Sequence, residues 1–233
     1  MLRSRARRVA LLTLCLLFCC LAPCVSAENL VQNGGFEAWQ NGLPTGWTKG
    51  MWFTEEGISY LEEAGEAHAG EACILVENVS LNDARFEQVL RVKAQTTYRF
   101  AGKVRAQDCD PTRKGANLSV ADIYDTSPDV HDTDGAWVDI EFYGRTGKGQ
   151  KEITLMARLG GYGSENTGMA WFDEIVVEEV DKVPDGAQVM SLLAPPPARE
   201  PAAPGTPGLG TVLGLWAIAL VFAALCVPLC RAV

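Results

Sequence analysis

Residues 29–47, NLVQNGGFEAWQNGLPTGW, carry the clearest fold signal in the chain. The stretch joins the apolar pair Leu30–Val31 to a glycine pair and an acidic residue, Glu37, and it ends in a Gly/Pro-rich turn before a tryptophan. Glycine and proline residues at such positions are typical of turns between short strands. A distant stretch, residues 170–177 (AWFDEIVV), is mostly apolar and is typical of a buried strand. We expect the two stretches to close one β-sandwich, with Glu37 and Asp173 meeting at the seam.

Apolar and polar residues alternate in short runs between residues 28 and 180, with the period of a half-buried strand. Residues 98–106 place Tyr, Phe, Gly, Val and Ala on one face and Arg, Lys and Arg on the other. Similar runs occupy residues 137–142 and 153–159, with turn pairs such as Asn41–Gly42 between runs. One-sided alternation gives each sheet a core face and a water face. We predict an all-β fold, a two-sheet jelly-roll sandwich of about eight to ten strands.

The ends of the chain have the composition of targeting segments. Residues 1–27 combine four arginines, an apolar run and a small-residue cleavage pattern, which is the layout of a secretory signal peptide. Residues 209–230 carry no charge and are long enough to cross about 30 Å of hydrocarbon. Arg231 follows them, so the positive-inside rule places residues 231–233 in the cytoplasm. From residue 181 to 208 the composition shifts towards Pro, Ala and Gly, as in an extended linker.

The predicted protein is therefore a single-pass protein of the cell membrane, with a sandwich at residues 28–180 outside the cell.

All 29 acidic residues lie within residues 28–208, together with 15 of the 20 basic residues, so that span has a formal charge of −14. An acidic domain of this kind repels phosphates, which argues against nucleic acid as a partner. The charge fits a neutral ligand, or a ligand that is bound with help from a divalent cation.

Two cysteines, Cys73 and Cys109, lie in the predicted sandwich. A disulfide is compatible with an oxidising compartment, and two separate free thiols are equally compatible with the sequence. No CxxC motif or Cys/His cluster has the spacing of a zinc site.

Several motifs resemble a known family in their order along the chain. NLVQNGGFE with the turn at 44–47, the loop at 67–73 (AHAGEAC), the strand at 97–106 and the closing stretch at 170–177 are similar to carbohydrate-binding modules of the family 4/9 type. Those modules are attached to bacterial cellulases and xylanases, and family 22 is a relative. The resemblance covers residues 29–179 and implies a galactose-binding-like jelly roll.

The resemblance also implies a structural Ca²⁺ ion where the first strand, the 67–73 loop and the last strand meet. In this chain the ligands would be the side chains of Glu37 and Asp173, with backbone carbonyls near His68 and Glu71. Ca²⁺ takes several oxygen ligands of these kinds. Its role would be to pin the ends of the domain. The alternative is that Glu37 and Asp173 cap turns or face solvent.

Sugar recognition needs flat apolar faces for stacking and planar polar groups that bond hydroxyls. The aromatic candidates lie in or beside turns and strand ends: Trp52, Tyr60, Tyr124 and Tyr162. The polar candidates lie near strand positions: Arg85, Gln88, Asn117 and Arg158. Three other tryptophans are assigned to core packing: Trp47, Trp137 and Trp171. For each ligand candidate the alternative is ordinary packing in the core or at its rim.

No residue set has the pattern of a catalytic site. Glycoside hydrolysis needs two carboxylates about 5–10 Å apart, and no acidic pair lies in a recognisable motif. Neither His68 nor His131 accompanies a GxSxG element. We therefore predict binding of a polysaccharide or glycan without catalysis.

Two alternatives to a membrane-anchored carbohydrate-binding module stay open. The segments 81–86, 114–120 and 158–161 resemble exported modules that precede multi-span bacterial glycosyltransferases. The chain would then be an accessory module of a membrane glycosyltransferase, short or truncated, or of a glycoside hydrolase. The other alternative is a structural adhesion domain that binds no sugar, because fold alone does not settle function.

Overall fold

The computed structural model describes residues 28–53 and 56–193. Its strands follow in chain order: β1 Trp39–Gln40, β2 Leu43–Pro44, β3 Thr48–Gly50, β4 Ile58–Ala64, β5 Ala72–Asn82, β6 Ala84–Arg91, β7 Thr97–Gln107, β8 Ala116–Val120, β9 Val138–Arg145, β10 Glu152–Leu159, β11 Asn166–Glu179 and β12 Val189–Ser191. The described residues contain no helix long and apolar enough to span a membrane.

The strands form two main sheets, which confirms the predicted all-β sandwich. One sheet has four strands in the order β3-β6-β10-β8, and the other has six in the order β12-β9-β7-β11-β5-β4. Strands β1 and β2 form a separate short hairpin. Apart from β4 and β5, neighbouring strands in the two main sheets are not consecutive in the chain, as expected for a jelly roll, where the chain alternates between sheets.

Alternating side chains from both sheets fill the space between them. Phe86 and Leu118 of the four-stranded sheet and Phe100 and Phe172 of the six-stranded sheet are fully buried there. Trp47 is buried against Phe36, with ring centroids 5.2 Å apart, so its predicted core position is confirmed.

A second, smaller cluster lies on the outer face of the six-stranded sheet. Its buried members are Cys73, Leu75 and Trp171, and Trp137 packs against them. These positions alternate with strand neighbours that point into the main core, so their side chains face the other way. Trp137 and Trp171 therefore pack as predicted, but in this outer cluster.

The two predicted seam stretches do meet. The Leu30 N–H donates to the Val177 carbonyl at 2.8 Å, and the Ile175 N–H donates to the Gly34 carbonyl at 2.8 Å. The Asn29 side chain also bonds the backbone of β11, accepting from the Val177 N–H at 3.0 Å. Glycine is required at position 34, because a Cβ there would overlap the Ile175 carbonyl oxygen.

The packed domain extends beyond residue 180, where the sequence pattern predicts a linker. Strand β12 pairs in parallel with β9, and Leu192 is buried in the main core against Gly144. The Leu192 N–H donates to the Arg145 carbonyl at 2.9 Å. The predicted signal peptide, the Pro-rich part of the linker, the transmembrane helix and the cytoplasmic tail lie outside the described residues.

Candidate functional site

Three exposed aromatic side chains, Trp52, Tyr124 and Tyr162, form a cluster that we name the aromatic triplet. Each is more than half exposed. The ring centroids of Trp52 and Tyr162 are 5.3 Å apart, and those of Tyr124 and Tyr162 are 5.2 Å apart. The triplet comes from the β3–β4, β8–β9 and β10–β11 loops. The fold therefore brings together three of the predicted ligand residues. Clustered exposed apolar surface of this kind is typical of a binding site.

Three polar candidates form a second group, the polar row, across the outer face of the four-stranded sheet. Arg158 of β10 is directly opposite Arg85 of β6 on one side and Asn117 of β8 on the other. Phe86 and Leu118, which follow Arg85 and Asn117, point into the core. Since side chains alternate along a strand, the polar row faces away from the core.

Backbone contacts place the triplet loops beside the polar row. The Trp52 N–H donates to Asn82 Oδ1 at 3.2 Å, and the same oxygen accepts from the Asp83 N–H at 2.8 Å. Asn117 Nδ2 donates to the Gly160 carbonyl at 3.0 Å, two residues before the last tyrosine of the triplet. The two groups therefore share one end of the four-stranded sheet.

A buried ion pair anchors the polar row. Arg158 Nη2 lies 2.7 Å from Asp83 Oδ2, and each side chain is only 4% exposed. Arg85 Nη1 lies 3.5 Å from the same oxygen, and Arg85 Nε donates to Glu87 Oε1 at 2.5 Å. Burial raises the pKa of Asp83 and lowers that of Arg158, while their mutual attraction acts in the opposite direction on each.

Three buried polar atoms in this group have no hydrogen-bond partner within the described part of the chain. They are Asp83 Oδ1, Asn117 Oδ1 and Arg158 Nε. Buried polar atoms are normally paired with protein or ordered water. Two acceptors and one donor are therefore left for water or for a hydroxylated ligand at this end of the sheet.

Among the described residues, three cations at the polar row are each paired with a carboxylate. Arg158 pairs with Asp83, Arg85 with Glu87, and Lys114 Nζ lies 3.3 Å from Asp129 Oδ2. The charges of these three pairs cancel, so none of the three cations is left over for an anionic ligand. These carboxylates are not among the residues that the sequence predicts for the site. The position of Glu87 could be predicted, because the alternation of side chains along β6 places it on the same outer face as Arg85.

The structure places two of the predicted ligand residues away from this face. Gln88 lies on the core side of β6, where its side chain exchanges hydrogen bonds of 2.8 and 2.9 Å with the Gln32 backbone. Tyr60 of β4 packs edge-on against Phe86, and its hydroxyl donates to the Gly50 carbonyl at 2.5 Å. Gln88 thus links β6 to the first seam stretch, and Tyr60 links β4 to β3.

The two carboxylates predicted to bind calcium both contact the 67–73 loop. Asp173 Oδ2 accepts from the backbone N–H groups of His68 at 2.8 Å and Ala69 at 3.0 Å. Glu37 Oε1 and Oε2 accept from the Glu71 N–H at 3.0 and 3.2 Å. One loop is thus held by two carboxylates, one from each seam stretch. We name this arrangement the carboxylate clamp.

The donor set of the carboxylate clamp has the chemistry that Ca²⁺ prefers. In the part of the chain that the structure describes, no three His, Cys, Asp or Glu side chains are grouped as metal ligands. A site here would combine the Glu37 and Asp173 carboxylates with backbone carbonyls, which are hard oxygen ligands. Asp173 is fully buried, and burial raises its pKa although three backbone N–H groups donate to it. In this structure backbone N–H groups, and not carbonyls, face the two carboxylates, and calcium at the clamp stays a prediction.

Cys73 and Cys109 are both buried free thiols, the second of the two alternatives that the sequence left open. Their sulfur atoms donate to different backbone carbonyls, Cys73 to Glu63 at 3.8 Å and Cys109 to Gln107 at 3.5 Å. Burial raises the pKa of Cys73 to about 12 and that of Cys109 to about 11. The thiols therefore remain protonated at neutral pH and pack as small apolar groups.

No protein-family profile matches the sequence, and no curated protein matches it. Among solved structures, a CBM4 module shares 15% identity over 64% of this chain and 99% of its own, with a TM-score of 0.46. The CBM22-1 xylan-binding domain of Paenibacillus barcinonensis Xyn10C shares 17% identity over 68% of this chain and 98% of its own, with a TM-score of 0.45. A cyclase from Fischerella sp. shares 16% identity over 66% of this chain and 98% of its own, with a TM-score of 0.44. Several solved structures that the chain resembles are carbohydrate-binding modules, as the motifs predict. All three TM-scores are below 0.5, so function has to be inferred from this chain's own residues.

Proposed function

We propose that residues 28–193 form a non-catalytic carbohydrate-binding module whose ligand is a neutral glycan. The observation that carries this proposal is the aromatic triplet, three exposed rings at one end of a sheet, in which Tyr162 contacts both Trp52 and Tyr124. Such rings offer apolar faces to the C–H surfaces of a pyranose, and the adjoining polar groups fix its orientation.

The polar row supports an uncharged ligand. Guanidinium and amide groups bond sugar hydroxyls in pairs, and unpaired acceptors and donors remain beside Arg158. Because the three cations at the polar row each have a carboxylate partner, an acidic sugar would gain little attraction there. A neutral hydroxylated chain would gain both stacking and directional hydrogen bonds.

Two further parts of the proposal rest on the sequence. Residues 209–230 would hold the module at the cell surface as a single membrane helix, with a Pro-rich linker between them. A Ca²⁺ ion at the carboxylate clamp would pin the seam of the sandwich. Neither the membrane helix nor the Ca²⁺ ion would contact the sugar.

The test is a glycan array probed with the full chain in detergent micelles, with Ca²⁺ and with a chelator. We expect retention of neutral polysaccharides, and weaker retention for a chain in which Tyr162 is replaced by alanine. If no glycan is retained under either condition, carbohydrate binding is wrong and a structural adhesion role takes its place. Retention of acidic glycans alone would overturn the neutral-ligand part.

A further inference from the structure

A second group of polar and aromatic residues lies on the outer face of the six-stranded sheet, away from the aromatic triplet. Trp171 of β11 is directly opposite Arg105 of β7. The guanidinium carbon of Arg105 lies 4.3 Å from the Trp171 ring centroid and 5.5 Å from that of Trp137. The guanidinium group therefore packs against both indoles, which limits its motion.

Two nitrogen donors in this group are buried without a partner in the described part of the chain, Arg105 Nε and Trp171 Nε1. Trp171 is only 8% exposed. A buried donor that lacks an acceptor is unfavourable for folding, because it has lost its hydrogen bond to water. Two such donors on facing residues indicate a place for an acceptor oxygen.

A cleft of about 330 Å³ adjoins these donors. Its wall includes Glu63, Glu66, Gln107 and Gly135 in addition to Arg105 and Trp171. This volume lies at the small end of ligand sites in proteins. It has room for a single small ligand or one sugar residue, and the carboxylates of Glu63 and Glu66 supply acceptors at its rim.

The charges of the cleft select against an anion. Arg105 Nη1 already pairs with Glu66 Oε2 at 2.9 Å, and Glu63 adds a further negative charge. The missing acceptor is thus better supplied by a neutral oxygen than by a carboxylate or phosphate. An amide carbonyl has two lone pairs and accepts two N–H bonds at once, while its own N–H can donate to a rim carboxylate.

We propose that this cleft is a second ligand site, which binds a neutral acetamido group such as that of an N-acetylated amino sugar. The carbonyl oxygen bonds Arg105 Nε and Trp171 Nε1, the amide N–H bonds Glu63 or Glu66, and the methyl group packs on the indole. Both nitrogens are closed to solvent in this structure, so entry requires a shift of the wall. Glu66, whose carboxylate is more than half exposed, is the wall residue best able to move.

The test uses the full chain in detergent micelles, titrated with N-acetylglucosamine, glucose and glucosamine and followed by saturation-transfer NMR. We expect saturable binding of N-acetylglucosamine and affinities at least about tenfold lower for the two sugars without an acetamido group, since both buried donors would then lack an acceptor. Equal binding of glucose, or no saturable binding at all, would overturn the proposal.

Two conservative variants locate the site. Trp171→Phe removes the indole N–H and keeps a ring, and Arg105→Lys removes the Nε donor and keeps the charge opposite Glu66. Each should weaken N-acetylglucosamine binding at least about fivefold, whereas Lys93→Ala, which changes an exposed side chain outside both proposed sites, should leave it unchanged. If Tyr162→Ala abolishes binding and Trp171→Phe does not, the sugar occupies the aromatic triplet, and the second site is wrong while carbohydrate binding stands.

Discussion

Arg158 and Asp83 form a buried ion pair at one end of the outer face of the four-stranded sheet. The Nη2–Oδ2 distance is 2.7 Å and the two residues are 75 positions apart in sequence. Asp83 Oδ1 and Arg158 Nε stay unpaired on the same two side chains. The pair thus holds the polar row in place and still has hydrogen-bonding capacity for a ligand.

The first prediction concerns the strength of that pair. Asp83→Ala leaves the Arg158 charge buried without a counter-ion, and breaking a buried pair in this way costs about 3–5 kcal/mol. We expect a loss of that size in the free energy of unfolding, measured by denaturant titration of the full chain. The matched control is Glu179→Ala, which removes the partner of exposed Lys93. Its effect should be far smaller, and equal losses in the two variants would contradict the buried-pair interpretation.

The second prediction concerns calcium at the carboxylate clamp. An ion present at about 100 times its Kd stabilises by about 2.7 kcal/mol, which corresponds to a rise in Tm of roughly 5–10 °C for a domain of this size. We expect that rise on replacing a chelator by Ca²⁺ at neutral pH. The variant Asp173→Asn should show no such rise, and an unmoved Tm in the parent chain would exclude the ion.

The pH dependence of this effect has a definite sign. Burial raises the pKa of Asp173, so without metal the folded state binds this proton more tightly than the unfolded state. Protonation of Asp173 in mild acid therefore adds to the stability of the metal-free chain. Ca²⁺ needs the ionised carboxylate, so the calcium-dependent rise in Tm should shrink as the pH falls through the raised pKa. If the calcium-dependent rise in Tm is the same at neutral and at acid pH, the ion does not bind at Asp173.

The third prediction concerns the aromatic triplet. Tyr162 contacts both other rings, so Tyr162→Ala should disrupt the whole stacking surface, whereas Tyr162→Phe should keep it. Stacking against an aromatic ring contributes about 0.5–1.5 kcal/mol beyond area burial, so we expect glycan affinity to fall about tenfold for alanine and little for phenylalanine. Affinity electrophoresis in a neutral polysaccharide measures both. A comparable loss in Tyr162→Phe would shift the essential contact from the ring to the hydroxyl.

The sequence predicted the sandwich because alternation is a local signal. In β7 it assigned Phe100 and Val104 to the core and Arg99 to the outside, as the structure has them. The same signal was available for Gln88, which shares its face of β6 with Phe86 and Leu90. Because Gln88 lies on this core face, its side chain can bond the backbone of Gln32 in the first seam stretch.

The arrangement of the site could not be predicted in this way. Trp52, Tyr124 and Tyr162 come from three loops, and loop positions carry no period that would place them together. The Arg158–Asp83 pair depends on strand neighbours set by long-range topology. Strand β12 is three residues long, lies among turn-forming residues and pairs in parallel with β9, so its local composition resembles that of a linker.

The last prediction tests whether residues after 180 belong to the folded domain. Leu192 is 2% exposed against Gly144, whereas its neighbour Leu193 is 56% exposed. Truncating a buried leucine to alanine costs about 2–5 kcal/mol, and a site at a sheet edge should lie at the lower end because it can partly collapse. We expect Leu192→Ala to lower the free energy of unfolding by about 2 kcal/mol and Leu193→Ala to change it by less than about 0.5 kcal/mol. Denaturant titration of the two variants, followed by tryptophan fluorescence, makes the comparison. If they behave alike, strand β12 contributes nothing to stability, and the domain ends near residue 180 as its composition indicates.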